Sequence, residues 1–171
     1  VDVALEGNTL VNLVGSLFTI NNNPNYTTMD EYGVITNKVY SDSYNHIGLA
    51  DMSKFKPSTT YTIITDVIEN NVTIVDDTYT GAVITHGIQN GITCSAIPPY
   101  ELYYNLGETG IRVSKFTTPA DLSSYGNSHL KFLVSPYGKT EGSYKLKAMI
   151  LEGDYTNKPI PDYFQGLQST F

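Results

Sequence analysis

From Tyr61 to Ile68 the chain reads Tyr-Thr-Ile-Ile-Thr-Asp-Val-Ile, and six of these eight residues are β-branched. Side chains with two heavy atoms on Cβ crowd a helix and fit a pleated strand, so this stretch constrains the fold more than any other. Alternation places Tyr61, Ile63, Thr65 and Val67 on one face, the expected core face, and Thr62, Ile64 and Asp66 on the other. Lys56-Pro57-Ser58-Thr59-Thr60 launches the strand, with Pro57 presetting φ for a turn. Glu69-Asn70-Asn71 ends it, and Val72 to Val75 follows at hairpin distance.

The same grammar recurs along the chain. Short apolar or β-branched runs cover Leu10 to Leu13, Leu17 to Ile20, Val34 to Tyr40, Ala82 to Thr85, Gly91 to Ser95 and Glu101 to Asn105. Ile111 to Phe116, His129 to Val134 and Ser143 to Leu151 continue the series. Turn residues such as Asn21-Asn22-Asn23-Pro24, Pro98-Pro99, Thr118-Pro119 and Pro136-Tyr137-Gly138 separate them. Many short strands without intervening helical patterns predict an antiparallel sandwich or barrel and exclude a doubly wound α/β sheet. Only Ala50 to Phe55 and Pro119 to Ser123 are candidates for a helical turn, so helix should make up about a tenth of the chain or less.

At 171 residues the chain is long enough for one domain with a buried core, without disulfides or metal. Residues 1–156 read as the globular module. Residues 157–171, with Pro159 and Pro161 and no periodicity, read as an arm whose Ile160, Tyr163 and Phe164 anchor it to the body. The opening Val1-Asp2-Val3, with no methionine and no basic leader, reads as part of a longer polypeptide.

Charge and motifs exclude several function classes. A net charge of −7 and a single arginine, Arg112, leave no basic stripe to neutralise phosphates, so no nucleic-acid partner is expected. No apolar run reaches the roughly 18 residues of a membrane span. The lone Cys94 reads as an inert buried thiol. His46, His86 and His129 each lack a ligand partner at zinc spacing. Asp76-Asp77 offers oxygen ligands without the spaced carboxylates of an EF-hand, so a structural calcium is the one ion the sequence allows; no other cofactor is expected. There is no nucleophile elbow, P-loop or dinucleotide fingerprint. Asp66, Glu69, Glu101 and Glu108 are the acids available for a glycosidase pair, but nothing in the sequence brings two together, and no enzymatic activity is expected.

Fourteen tyrosines and no tryptophan are the informative part of the composition. A tyrosine combines a flat apolar face with a hydrogen-bonding tip, which suits sugar rings and wet interfaces. The densest cluster is Pro98-Pro99-Tyr100-Glu101-Leu102-Tyr103-Tyr104-Asn105, and a second is Tyr40-Ser41-Asp42-Ser43-Tyr44-Asn45. Alternation sends Tyr103 and Tyr104 to opposite faces, so at most one packs in the core. The candidate ligand-binding residues are therefore Tyr44, Tyr100, Tyr103 and Tyr104, with Asp66, Glu101 and Asn105 as hydrogen-bonding partners.

The most specific sequence signal is the ending. Ser143 to Thr156, closing on Met149-Ile150-Leu151-Glu152-Gly153-Asp154-Tyr155-Thr156, runs into Ile160-Pro161-Asp162-Tyr163-Phe164-Gln165-Gly166-Leu167-Gln168-Ser169. This resembles the close of carbohydrate-binding-module-like jelly-roll domains in bacteriophage and prophage tail, baseplate and fibre proteins of low-GC bacteria. Gly7-Asn8-Thr9-Leu10-Val11-Asn12-Leu13 looks like the opening of such modules. Lys56 to Ile63 looks like their strand entry, and Phe116-Thr117-Thr118-Pro119 like the step before their last strands. The resemblance implies a jelly-roll β-sandwich of two antiparallel sheets, acting as a non-catalytic host-recognition module on a virion. Its implied partners are a bacterial cell-surface saccharide and other tail or baseplate domains, in a homo-oligomeric parent protein. A spacer domain of a tail fibre without ligand, or an accessory module of a cell-wall-degrading enzyme, are the alternatives. The matching residues are framework positions, so no site residue transfers from the resemblance.

Overall fold

A computed structural model of the chain describes residues 8–15, 18–19, 27–39, 46–74, 84–89, 103–123, 129–134 and 140–170. These residues form an all-β sandwich in which every strand pairing is antiparallel. Numbered in chain order, the strands are β1 (Asn8–Val11), β2 (Phe18–Thr19), β3 (Thr27–Met29), β4 (Ile35–Val39), β5 (His46–Asp51), β6 (Thr60–Asn70) and β7 (Thr73–Ile74). They continue with β8 (Ile84–Gln89), β9 (Tyr103–Tyr104), β10 (Gly110–Thr117), β11 (His129–Val134), β12 (Thr140–Glu152) and β13 (Leu167–Thr170). One sheet has the order β10-β6-β12-β4-β3, with β7 added alongside β12, and the other β2-β5-β11-β8-β9. β1 and β13 form a separate two-stranded ribbon.

The period-2 reading of β6 places the core correctly. Tyr61, Ile63 and Val67 are buried with Leu146 and Ile150 of β12 and with Ile47 and Leu49 of β5. Phe55 meets Tyr61 edge-on at 4.9 Å, and Tyr61 stacks on Phe116 at 5.8 Å. Two of the motif segments interlock at this end of the sandwich. The Thr118 hydroxyl donates to the Lys56 carbonyl and accepts from the Thr59 amide, while the Ser58 amide donates to the Pro119 carbonyl.

The structure corrects three local expectations. β7 does not fold back on β6 as a hairpin; it runs on along β12, opposite Thr140 and Glu141. The change of path is possible because Gly142, at φ +108°, has no Cβ, and any Cβ there would collide with the Asn71 carbonyl. Ala50 and Asp51 end strand β5, and only Met52–Lys54 forms a 3-10 turn, capped by the Asp51 carboxylate at the Ser53 amide (2.7 Å). Across Pro119 to Ser123, Pro119 to Leu122 carries no helix and Ser123 alone enters a 3-10 turn. The expected strand at Gly91 to Ser95, with Cys94, lies outside the described residues.

The arm runs back across the body. Its outward course would leave the second face of β6 bare, yet Thr62 and Ile64 on that face are buried. Ile64, Met149 and Leu151 form a second apolar cluster, packed against Val113, Tyr155, Tyr163 and Phe164. The arm starts from a turn in which the Asp154 carboxylate accepts the Thr156 amide and hydroxyl. That turn is fastened to β6 where the Thr62 hydroxyl accepts the Tyr155 amide and donates to the Gly153 carbonyl. The arm ends in β13, paired with β1 from Asn8 opposite Thr170 to Val11 opposite Leu167.

Candidate functional site

A groove of about 190 Å³ lies between the outer face of the first sheet and the arm. Strand register explains its floor. Asp66 of β6 is flanked by Ile111 of β10 on one side and Lys147 of β12 on the other. One step along the strands, Ile64 is flanked by Val113 and Met149. The arm supplies the opposite wall with Ile160, Pro161, Asp162 and Tyr163. Two walls that are mostly apolar thus enclose a few polar groups, the usual composition of a small-ligand cleft.

Those polar groups are not neutralised by one another. Asp66 and Lys147 face each other in register. Lys147 nevertheless sends its ammonium over the Tyr163 ring, 5.1 Å from the centroid, a cation–π contact with an aromatic face. Among the described residues, the Asp66 and Asp162 carboxylates have neither a hydrogen-bond nor an ion-pair partner. The groove therefore presents two acceptor-only carboxylates, one ammonium donor and a phenol beside an apolar floor. Burial, and then the Asp30 charge, push the Tyr163 phenol above its ordinary range. That array can bracket a hydroxylated ring, with C–H surface on the exposed side chains of Ile111 and Ile160 and hydroxyls on the carboxylates.

The Tyr163 end of the groove is braced by the β3–β4 turn. The Asp30 carboxylate accepts the amides of Tyr32 (2.9 Å) and Val34 (2.8 Å). Gly33 adopts φ +76° and its carbonyl accepts the Tyr163 hydroxyl at 3.4 Å. A side chain at Gly33 would occupy the space of that hydroxyl, so the turn and Tyr163 fix each other's position.

The expected site residues that the structure describes are dispersed. Asp66 does line the groove. Tyr104 does not offer a stacking face: it is fully buried, and Arg112 lies over its ring at 4.5 Å from the centroid. Its hydroxyl is within hydrogen-bonding distance of the Thr65 hydroxyl (2.8 Å) and of the Gly110 carbonyl (3.1 Å). Thr65 is on the core face of β6, so Asp66 and Tyr104 lie on opposite sides of that sheet. Asn105 belongs to a turn, its amide and carboxamide both donating to Glu108. Tyr103 lies opposite Thr85 in β8. Tyr44, Tyr100 and Glu101 are outside the described residues, as are Asp76 and Asp77.

The acids considered for catalysis are likewise separated. Glu69 pairs with Lys145 at 2.8 Å and Glu108 with Arg112 at 2.6 Å, and neither lines the groove. Among the described residues there is no cluster of three or more His, Cys, Asp or Glu able to hold a metal ion. Sequence reasoning missed Lys147, Asp162 and Tyr163 as groove residues. The signal available was Ile64: an apolar residue on the face of β6 opposite the core has to be covered by another part of the chain.

No family model matches the chain, and no curated protein matches it. Among solved structures, the fold is similar to that of CBM29_1, a family 29 carbohydrate-binding module from Piromyces equi. The similarity covers 91% of this chain and 97% of that one, at 9% sequence identity and a TM-score of 0.42.

Proposed function

We propose that the protein is a non-catalytic carbohydrate-binding module whose site is the groove between the first sheet and the arm. The observation that carries this reading is that Asp66 and Asp162, unpartnered among the described residues, stand beside the exposed apolar side chains of Ile111 and Ile160. Sugar recognition needs an apolar surface for C–H contacts and fixed acceptors for hydroxyls, and this groove combines them. Two carboxylates against one lysine disfavour phosphate- or uronate-bearing chains, so the ligand class is neutral saccharide. Given the resemblance of the chain's ending, we place the module on a bacteriophage or prophage tail, facing the host surface. Weak single sites become effective there through many copies.

The experiment is a glycan array followed by calorimetry on the intact chain. Affinity between roughly millimolar and micromolar is expected, since a shallow site buries little surface. Affinity should change little with salt. Asp66→Ala removes an acceptor that has no partner among the described residues, so it should weaken binding at least tenfold and leave the melting temperature in place. An array blank at millimolar saccharide would overturn the reading and leave the fibre-spacer alternative.

A further inference from the structure

Resting on the groove as a saccharide site, we propose that Tyr32 forms a second subsite and that the ligand is an oligosaccharide of several units. Tyr32 sits at the tip of the β3–β4 turn and is 69% exposed. An exposed tyrosine is ordinary by itself, but the mounting of this one is not. The Asp30 carboxylate holds its amide at 2.9 Å. The residues on either side are clasped by the arm: the Tyr163 hydroxyl donates to the Gly33 carbonyl, and the Gln165 carboxamide donates to the Glu31 carbonyl at 3.2 Å. The same two arm residues thus hold the backbone on both sides of Tyr32, and one of them, Tyr163, is a wall of the groove.

The direction of the groove agrees with this. Asp66 on β6 and Lys147 on β12 are register neighbours, β4 is the next strand, with Ile35 opposite Leu146, and the turn that carries Tyr32 leads directly into Ile35. Adjacent strands are about 4.8 Å apart, so the two spacings from β6 past β12 to β4 come to about 10 Å, more than one sugar ring spans. A ring held on a rigid turn loses little freedom on stacking, which makes it an efficient second contact.

The test uses the intact chain with maltose-type, cello-type and N-acetylglucosamine oligosaccharides of one to six units. In the series that binds, affinity should rise at least tenfold from one unit to four. Tyr32→Ala should remove about five- to tenfold of the four-unit affinity, leave single-unit affinity unchanged and leave the melting temperature unchanged. Tyr32→Phe, which keeps the stacking face, should behave as the parent. If Tyr32→Ala binds every length like the parent while Asp66→Ala loses binding, the second subsite is wrong and the groove stands. If no series binds, or Asp66→Ala also binds normally, the groove reading falls and this proposal falls with it.

Discussion

The carboxamide oxygen of Asn12 accepts the backbone amide of Ile150 at 3.1 Å, near the C-terminal end of the longest strand of the sandwich. Its nitrogen donates to the Ala148 carbonyl at 3.3 Å and to the Phe164 carbonyl at 2.9 Å. The Asn12 amide donates to the Gly166 carbonyl, and the Leu13 amide to Ile150. β4 stops pairing with β12 at Leu146, so one buried side chain completes the β12 edge beyond that point and fastens the arm to it.

Asn12→Ala should therefore strand several buried polar groups, each costing about 1–3 kcal/mol. For a domain of this size that corresponds to roughly 2–4 °C per kcal/mol. A thermal melt within a degree of the parent would show that the edge is satisfied by other means.

Deleting residues 159 to 171 should lower the melting temperature by several degrees, because it bares Ile64 and Met149 and removes half-buried Tyr163 and Phe164. Full burial of such side chains contributes about 1.5–3 kcal/mol each. The truncated chain should also gain binding of a hydrophobic dye. An unchanged melt with no dye binding would reduce the arm to a linker.

Tyr104→Ala should cost roughly 3–5 kcal/mol, as expected when a fully buried aromatic is removed. The variant also vacates the acceptor at Gly110 and the Thr65 hydroxyl. Chemical denaturation measures this, and a loss below 1 kcal/mol would contradict the core assignment.

The Asp154 carboxyl is held well below the usual carboxylate range, first by its hydrogen bond from Lys115 (2.6 Å) and then by those from Thr156. A depressed native pKa contributes stability above the unfolded carboxylate pKa, and this is lost as pH falls through the native value. Melting temperature should fall on acidification below the ordinary carboxylate range, and Asp154→Asn should flatten that fall. Parallel curves for the two proteins would remove Asp154 from the acid response.

The odd positions of β6 were legible because burial with period 2 leaves a direct mark in the sequence. Its even positions are less legible: alternation puts Thr62, Ile64 and Asp66 on the face away from the core, but does not show that the arm and the turn before it bury Thr62 and Ile64. That cover joins residues about a hundred positions apart, which no local pattern records. Tyr104 was offered as a ligand contact because composition alone does not tell a tyrosine with internal partners for its hydroxyl from one with water. β5 was missed because Gly48 and the capping Asp51 weaken its strand signal near a turn. The motif segments are more legible as framework: Asn12 and Thr118 each hold two or more backbone groups, and Asp154 holds the amide and hydroxyl of Thr156 and the Lys115 ammonium.

The β1–β13 ribbon sets how force enters the molecule. Asn8 and Thr170 are opposite each other, so whatever precedes one and follows the other departs from the same end of the sandwich. The body hangs from that pair as a pendant and does not sit in line as a link. Tension between the two flanks would part the ribbon from its open end, one rung at a time, from Asn8–Thr170 toward Val11–Leu167. Asn12 is the next bond in that sequence, and once it yields the arm lifts and the groove loses its wall.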